Sequence, residues 1–139
     1  MKTIELNQII DSETIEKLVE KLKLEGLSYN GVTNIQNEIQ LSFTNKFNYV
    51  INIYFLISPG ADEYFIGFFI KSPQHLNPFH LNYYLINNSR KEDFMNLHFD
   101  DKDSFKSSLD LLFKILREDL AEVLNGTTWI PTDYDWRNI

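Results

Sequence analysis

The chain contains 139 residues, of which 43% are hydrophobic and 24% are charged, and it has no cysteine. This length and composition predict one globular domain over residues 1–139, with a core that needs no disulfide. The formal net charge of −7 repels phosphate backbones, so we expect no nucleic-acid partner. Cysteine, a signal-peptide pattern and a membrane-spanning apolar run are all absent, and we therefore expect a cytoplasmic protein that does not bind membranes.

The first predicted element is a helix that begins after Asp11 and ends before Gly26. Asp is a favoured N-cap residue, and glycine is common just past a helix C-terminus. Apolar residues recur at the spacing of one helix face: Ile15, Leu18, Val19 and Leu22. We expect this helix to pack one face against an apolar layer.

Three strands are predicted next, over residues 38–44, 47–57 and 63–71. Apolar and polar residues alternate strictly in the first strand. Both faces of the second strand are largely apolar, which is typical of a strand covered above and below. Turn-forming residues at 45–46 and 58–62 join the strands, so the sequence predicts an antiparallel meander.

Residues 47–89 hold eleven of the twenty aromatic residues and only three formal charges. Aromatic side chains bury large apolar areas, so both faces of these strands need cover. The sequence leaves three kinds of cover open: the rest of this chain, a second copy in a homodimer, or a cavity that holds an apolar ligand.

The remaining chain combines an ambiguous segment, a short strand and a long helix. Residues 78–88 alternate as a strand would, but the Asn77–Pro78 start favours a helix. Alternation predicts a strand over 95–99, and apolar spacing predicts a helix that Asp103 opens, running over 103–125 to a stop at Gly126. The predicted fold class is α+β: an antiparallel sheet of about four to five strands, flanked by an N-terminal helix and a long C-terminal helix.

No motif in the sequence predicts catalysis. There is no cysteine nucleophile, Gly-x-Ser-x-Gly elbow, glycine-rich phosphate loop or His-Glu-x-x-His motif. The first acid pair, Asp101-x-Asp103, is placed to cap the long helix, and the second, Asp133-x-Asp135, has no further oxygen ligands nearby. The histidines lack metal-ligand spacing and are interpreted as structural: His75, His80 and His98. We therefore expect no enzyme activity, no cofactor and no metal.

Negative charge is concentrated in the last third of the chain. Residues 1–91 carry a balance of −1, and residues 92–139 a balance of −6. The C-terminal tail, residues 127–139, adds both tryptophans. Aromatic residues among carboxylates suit a basic partner, although the acids could serve solubility alone and the tail could complete the core. The predicted partner-binding residues are Asp100, Asp101, Asp133, Tyr134, Asp135 and Trp136.

These observations favour a non-enzymatic protein-binding domain that inhibits or escorts a more basic partner. In size, charge and layout the chain resembles the small acidic immunity proteins that neutralise bacterial toxins, and an acidic secretion-type chaperone is the first alternative. The second alternative is a small apolar-ligand binder or enzyme, with a cavity between the sheet and the long helix.

Overall fold

The computed structural model describes residues 5–35, 38–58 and 63–130. Within these ranges the helices are α1 Leu6–Ile9, α2 Ser12–Leu24, α3 Leu81–Asn87, α4 Lys91–Asn96, α5 Lys102–Glu118 and α6 Ala121–Leu124. The strands are β1 Ser28–Ile35, β2 Glu38–Thr44, β3 Val50–Ile57, β4 Tyr64–Lys71, β5 Phe79–His80 and β6 His98–Phe99. The fold class is α+β, as predicted, with an N-terminal helix and a 17-residue helix, α5, after the sheet.

All strand pairs in the sheet are antiparallel, in the order β1-β2-β3-β4. The outer edge of β4 is shared by two short strands. One end of β4, at residues 69–70, pairs with β5, and the other end, at residues 64–65, pairs with β6. The predicted meander of β2, β3 and β4 is confirmed, with Ile53 opposite Phe68 at its centre.

One face of the sheet, the inner face, forms the hydrophobic core with α2 and α5. Alternate residues of β2, β3 and β4 point to this face and are fully buried, as are Leu22 of α2 and Leu112 of α5. The rings of Phe55, Phe99 and Phe105 meet between the sheet and α5 with centroids 4.9–6.3 Å apart. These aromatic contacts lie between the sheet and α5, the region in which the sequence left an apolar-ligand cavity open.

Local signals set the ends of α2 as predicted. The Asp11 Oδ1 atom accepts a hydrogen bond of 2.9 Å from the Thr14 N–H, which caps the helix. This bond, with that of the Thr14 hydroxyl, lowers the pKa of Asp11 to about 2. Gly26 follows the helix with a φ of +88°, a conformation that glycine adopts without the steric cost of a side chain.

The long helix differs from its prediction at both ends. Its N-cap is Asp101 and not Asp103, and the helix ends at Glu118, so residues 103–125 do not form one helix. Asp119 forms an ion pair with Arg90, and Leu120 turns inward to full burial. These tertiary contacts separate α5 from α6. The repeating apolar pattern of residues 103–125 contains no sign of them, so it predicted one continuous helix.

Two segments on either side of β2 also differ from the sequence interpretation. Strand β1 was not predicted, because its Asn30–Gly31 pair is typical of a turn; here the register shifts between Tyr29 and Gly31 as a β-bulge. Residues 47–49 precede β3 in a turn, where Asn45 Oδ1 accepts hydrogen bonds from the N–H groups of Phe47 and Tyr49.

The segment between β4 and α5 is the least regular part of the fold. Residues 79–80 are a strand, and helix α3 follows at residues 81–87, so the predicted helix over 78–88 starts too early and the Asn77 cap is wrong. The predicted strand over 95–99 is limited to residues 98–99, because residues 91–96 form α4. Strands β5 and β6 form because they pair with free backbone groups at the edge of β4. This pairing depends on contacts between distant parts of the chain, so the local sequence does not predict it.

Candidate interaction surface

The outer face of the sheet, opposite the core, carries a row of half-buried rings. We call these seven residues the aromatic band. They come from β3, β4, β5 and β6 and from the two helices that flank the shared edge of β4. The band consists of Phe94, His98, Phe65, Tyr54, Phe69, His80 and Tyr83, and each is half-buried.

Each ring of the aromatic band contacts the next. From Phe94 to Tyr83, in the order just given, successive ring centroids are 5.3, 5.9, 6.2, 6.0, 5.5 and 5.1 Å apart. These distances lie in the range of favourable aromatic pairs, about 4.5–7 Å. The band is therefore one continuous apolar surface and not a set of isolated exposed rings.

Tyr54 occupies the centre of the band because Gly67 lies opposite it in the neighbouring strand. A Cβ atom on Gly67 would lie 2.0 Å from two Tyr54 ring carbons, so a glycine is needed for the ring to rest on the β4 backbone. Burial raises the pKa of the Tyr54 hydroxyl, with a smaller contribution from Tyr83. The central ring is thus closely supported by the backbone beneath it and is uncharged.

Few charges lie on the band. Burial lowers the pKa of His80, and the nearby Lys71 ammonium adds to the effect, so the His80 imidazole is neutral at pH 7. The Lys71 Nζ atom itself lies 5.6 Å from the centroid of the Phe69 ring. His98 Nδ1 faces the carbonyl oxygens of Phe94 and Met95, each at 3.2 Å, and therefore carries the proton. The band therefore carries few charges, with the Lys71 ammonium at its margin.

Two of the predicted site residues, Asp100 and Asp101, lie at the end of the band where β6 leads into α5. Asp101 Oδ1 accepts a hydrogen bond of 2.7 Å from the Ser104 N–H, which confirms the capping interpretation for this residue. That bond, with the Ser104 hydroxyl, lowers the pKa of Asp101. Asp100 Oδ1 accepts a 3.1 Å bond from the Ser104 hydroxyl, and both carboxylates are exposed. The other four predicted residues, Asp133, Tyr134, Asp135 and Trp136, lie outside the described residues.

The acids of the last third are only partly neutralised. Arg90 binds both Asp93 and Asp119, and these carboxylates raise the pKa of its guanidinium further. Within residues 92–130 there are nine acids and four bases, a balance of −5. Asp103 and Asp110 of α5 are exposed. The acidic balance expected from the sequence is therefore retained in the described part of the last third.

The first part of the C-terminal tail is anchored to the folded domain. The Trp129 ring stacks on His75 with centroids 4.5 Å apart and meets the Tyr49 ring edge-on at 5.6 Å. Its Nε1–H donates a 3.1 Å hydrogen bond to the carbonyl oxygen of Asn77. Trp129 thus completes the core at one end of the sheet, which is the structural role the sequence left open for it.

Sequence reasoning found the apolar outer face of β3 and β4 but not the band as a site. The available signal was the alternation of Phe65, Gly67 and Phe69, in which a glycine separates two rings on one strand face. The contributions of His80, Tyr83 and His98 depend on where the short segments meet β4, and no local pattern reports that.

No protein-family model matches the chain, and comparison with curated proteins and with solved structures also gives no match. In the part of the chain that the structure describes, no helix has the length and apolar character needed to cross a membrane. Among the same residues, no three His, Asp or Glu side chains are grouped so that they could hold a metal ion.

Proposed function

We propose that this protein is a non-enzymatic, cytoplasmic protein-binding domain that inhibits or escorts a basic partner. The aromatic band is its contact surface, and Asp100 and Asp101 lie at the margin. The observation that carries this proposal is the continuous contact of seven half-buried rings on the sheet face opposite a completed core.

The burial pattern supports a binding role for these rings. Strands β3 and β4 already supply a core through their inner-face residues, so folding does not require rings of this size on the outer face. Contiguous exposed apolar patches on soluble proteins mark interaction sites, and aromatic residues are enriched among the residues that dominate binding energy. A backbone-supported central ring, Tyr54 on Gly67, loses little conformational entropy when a partner binds.

The charges support a basic partner. The π-faces of aromatic rings attract cations, and Lys71 already places an ammonium near the Phe69 ring in this molecule. Asp100 and Asp101, which follow β6 in the chain, add negative charge that attracts a basic protein. An arginine- or lysine-rich segment could place its charges over the rings and beside Asp100. Inhibition of a basic toxin, as by an immunity protein, is the most concrete form of this function, and escort of a secreted protein is the alternative.

The test begins with capture of partners from the native cell on the immobilised protein, followed by purification of each partner and calorimetric titration. Phe69→Ala should weaken binding by at least about tenfold, because central aromatic residues carry about 2 kcal/mol or more of binding energy. Tyr29→Ala is the matched control, since Tyr29 is also a partly exposed ring but lies on β1, outside the band. Equal losses in the two variants would show that the band is not the contact surface, and an acidic partner would contradict the proposed basic partner.

Charge reversal tests the margin of the band separately. Asp100→Lys should weaken binding and reduce its dependence on salt, because the expected attraction at this position becomes repulsion. Glu16→Lys makes the same charge change on the exposed side of α2 and serves as the control. Unchanged affinity and salt dependence in Asp100→Lys would remove this carboxylate from the proposed surface.

A further inference from the structure

A second site, separate from the aromatic band, lies between helices α2 and α5. It is a cleft of about 250 Å³ that we call the lysine cleft. Its floor is apolar and is formed by Ile9, Leu18, Phe105, Leu109 and Phe113. Phe105, Leu109 and Phe113 recur every four residues on one face of α5, Leu18 comes from α2, and Ile9 comes from α1.

Every charged residue that lines the cleft is a lysine: Lys17 and Lys21 come from α2, and Lys102 and Lys106 come from α5. Each pair is separated by four residues, so both ammonium groups of a helix lie on the same side. Four lysines around one cleft are unexpected in a protein with a net charge of −7. The cleft is therefore a local reversal of the charge of the molecule.

The lysines are weakly engaged by the protein itself. Lys17 Nζ lies 3.1 Å from Glu13 Oε1, and the two side chains are 75% and 74% exposed. Lys102 Nζ lies 3.4 Å from Asp11 Oδ2, again at an exposed position. Exposed ion pairs of this kind contribute about 0–1 kcal/mol, so a bound anion could replace them at little cost.

Lys21 connects the charged rim to the apolar floor. Its Nζ atom lies 4.1 Å from the centroid of the Phe113 ring, at the boundary between the two. Lysine stems often cover apolar surface simply to shield it from water. Here a cleft remains open beside the lysines, and no carboxylate is among the residues that line it.

We infer that the lysine cleft binds a small amphipathic carboxylate, with its apolar body on the floor and its carboxylate among the ammonium groups. The four lysines provide charge complementarity, and the floor provides the apolar contact. The volume lies below the roughly 300–1,000 Å³ of drug-sized ligand pockets, so the ligand is small. An acidic helical peptide is a poor fit, because a helix with its side chains is about 10–12 Å wide. The inference does not depend on the proposed partner binding.

The experiment is an NMR titration of the ¹⁵N-labelled protein with octanoate, in parallel with 1-octanol and acetate. Octanoate should shift amide signals of α2 and α5 around the cleft and reach saturation. Octanol has the chain without the charge, and acetate has the charge without the chain. Each should bind at least about tenfold more weakly, since either half of the interaction is worth more than 1.4 kcal/mol.

Paired variants identify the lysines that bind the carboxylate. Lys21→Gln with Lys106→Gln should weaken octanoate binding by about tenfold or more. Lys23→Gln with Lys114→Gln removes the same charge from exposed positions on the same helices, away from the cleft, and should leave binding unchanged. The inference is overturned if octanoate shifts no amides of the cleft, if octanol binds equally well, or if both double variants lose the same affinity.

Discussion

The inner and outer faces of strands β3 and β4 use aromatic residues in different ways, although they alternate along the same backbone. On the inner face, Phe55 and Phe68 are fully buried beneath α5 and its neighbours. On the outer face, the Tyr54 ring meets Phe65 in a T-shaped contact and Phe69 at a tilt, and all three rings remain half-buried. Hydrophobic content alone does not distinguish these faces. The difference is burial, because the inner rings are fully covered and the outer rings keep part of their surface exposed.

The strongest test of this comparison uses two neighbouring phenylalanines that point to opposite faces. Phe68→Ala creates a cavity in the core and should lower the free energy of unfolding by about 3–5 kcal/mol. Phe69→Ala removes a half-buried ring and should lower it by about 1 kcal/mol. Urea denaturation of both variants measures the difference. Similar losses would mean that the outer face is as much a part of the core as the inner face.

A second test changes the support of the central ring. Gly67→Ala places a methyl group where the Tyr54 ring lies, so the ring must move away from the β4 backbone. We expect a loss of about 1–2 kcal/mol in unfolding free energy. The loss should be much smaller in a Tyr54→Ala background, because the displaced ring is then absent. A double-mutant cycle measures this coupling, and additive losses would contradict the proposed role of Gly67.

The smallest expected effect concerns pH and His80. The folded state lowers the His80 pKa below its ordinary value of 6.5, so the unfolded chain takes up the proton first as pH falls. The contribution of His80 to stability is therefore complete above pH 6.5 and is lost as pH falls from there toward the folded-state pKa. The groups facing His80 include Phe69 and Lys71 of β4 and Tyr83 of α3.

Replacement of this histidine isolates its contribution. His80→Gln should flatten the decrease in urea midpoint between pH 7 and pH 5 relative to the wild type. His75→Gln is the matched control, because His75 lies outside the band and stacks on Trp129. An equal flattening in both variants would show that the decrease does not arise from the band.

The sequence predicted best those elements whose ends are marked by local chemistry. Asp11 and Gly26 define α2 because a cap and a left-handed residue act within one turn of the helix. The strict alternation of residues 38–44 predicted strand β2 for the same reason, because burial of every second side chain is a property of the strand itself.

The sequence failed where distant contacts decide the local structure. Residues 95–97 alternate like a strand, yet residues 91–96 are helical and the strand starts at His98. The break between α5 and α6 follows from the ion pair of Asp119 with Arg90, two residues far apart in the chain. Similarly, the aromatic band is assembled from four strands and two helices, so its outline was predictable only in part. The binding residues in the C-terminal tail stay a prediction.

The shared outer edge of β4 has a consequence for self-association. Between the two short strands, the Ile66 N–H donates a 3.0 Å hydrogen bond to the Leu97 carbonyl, and the Asn82 side chain donates to the Ile66 carbonyl. This side of the sheet therefore offers little free backbone to an incoming chain, and β1 is the exposed edge among the described strands. Fibrillar growth by strand addition needs a receptive edge on both sides of each unit. Molecules of this protein that join through β1 would form a closed two-fold pair and stop there.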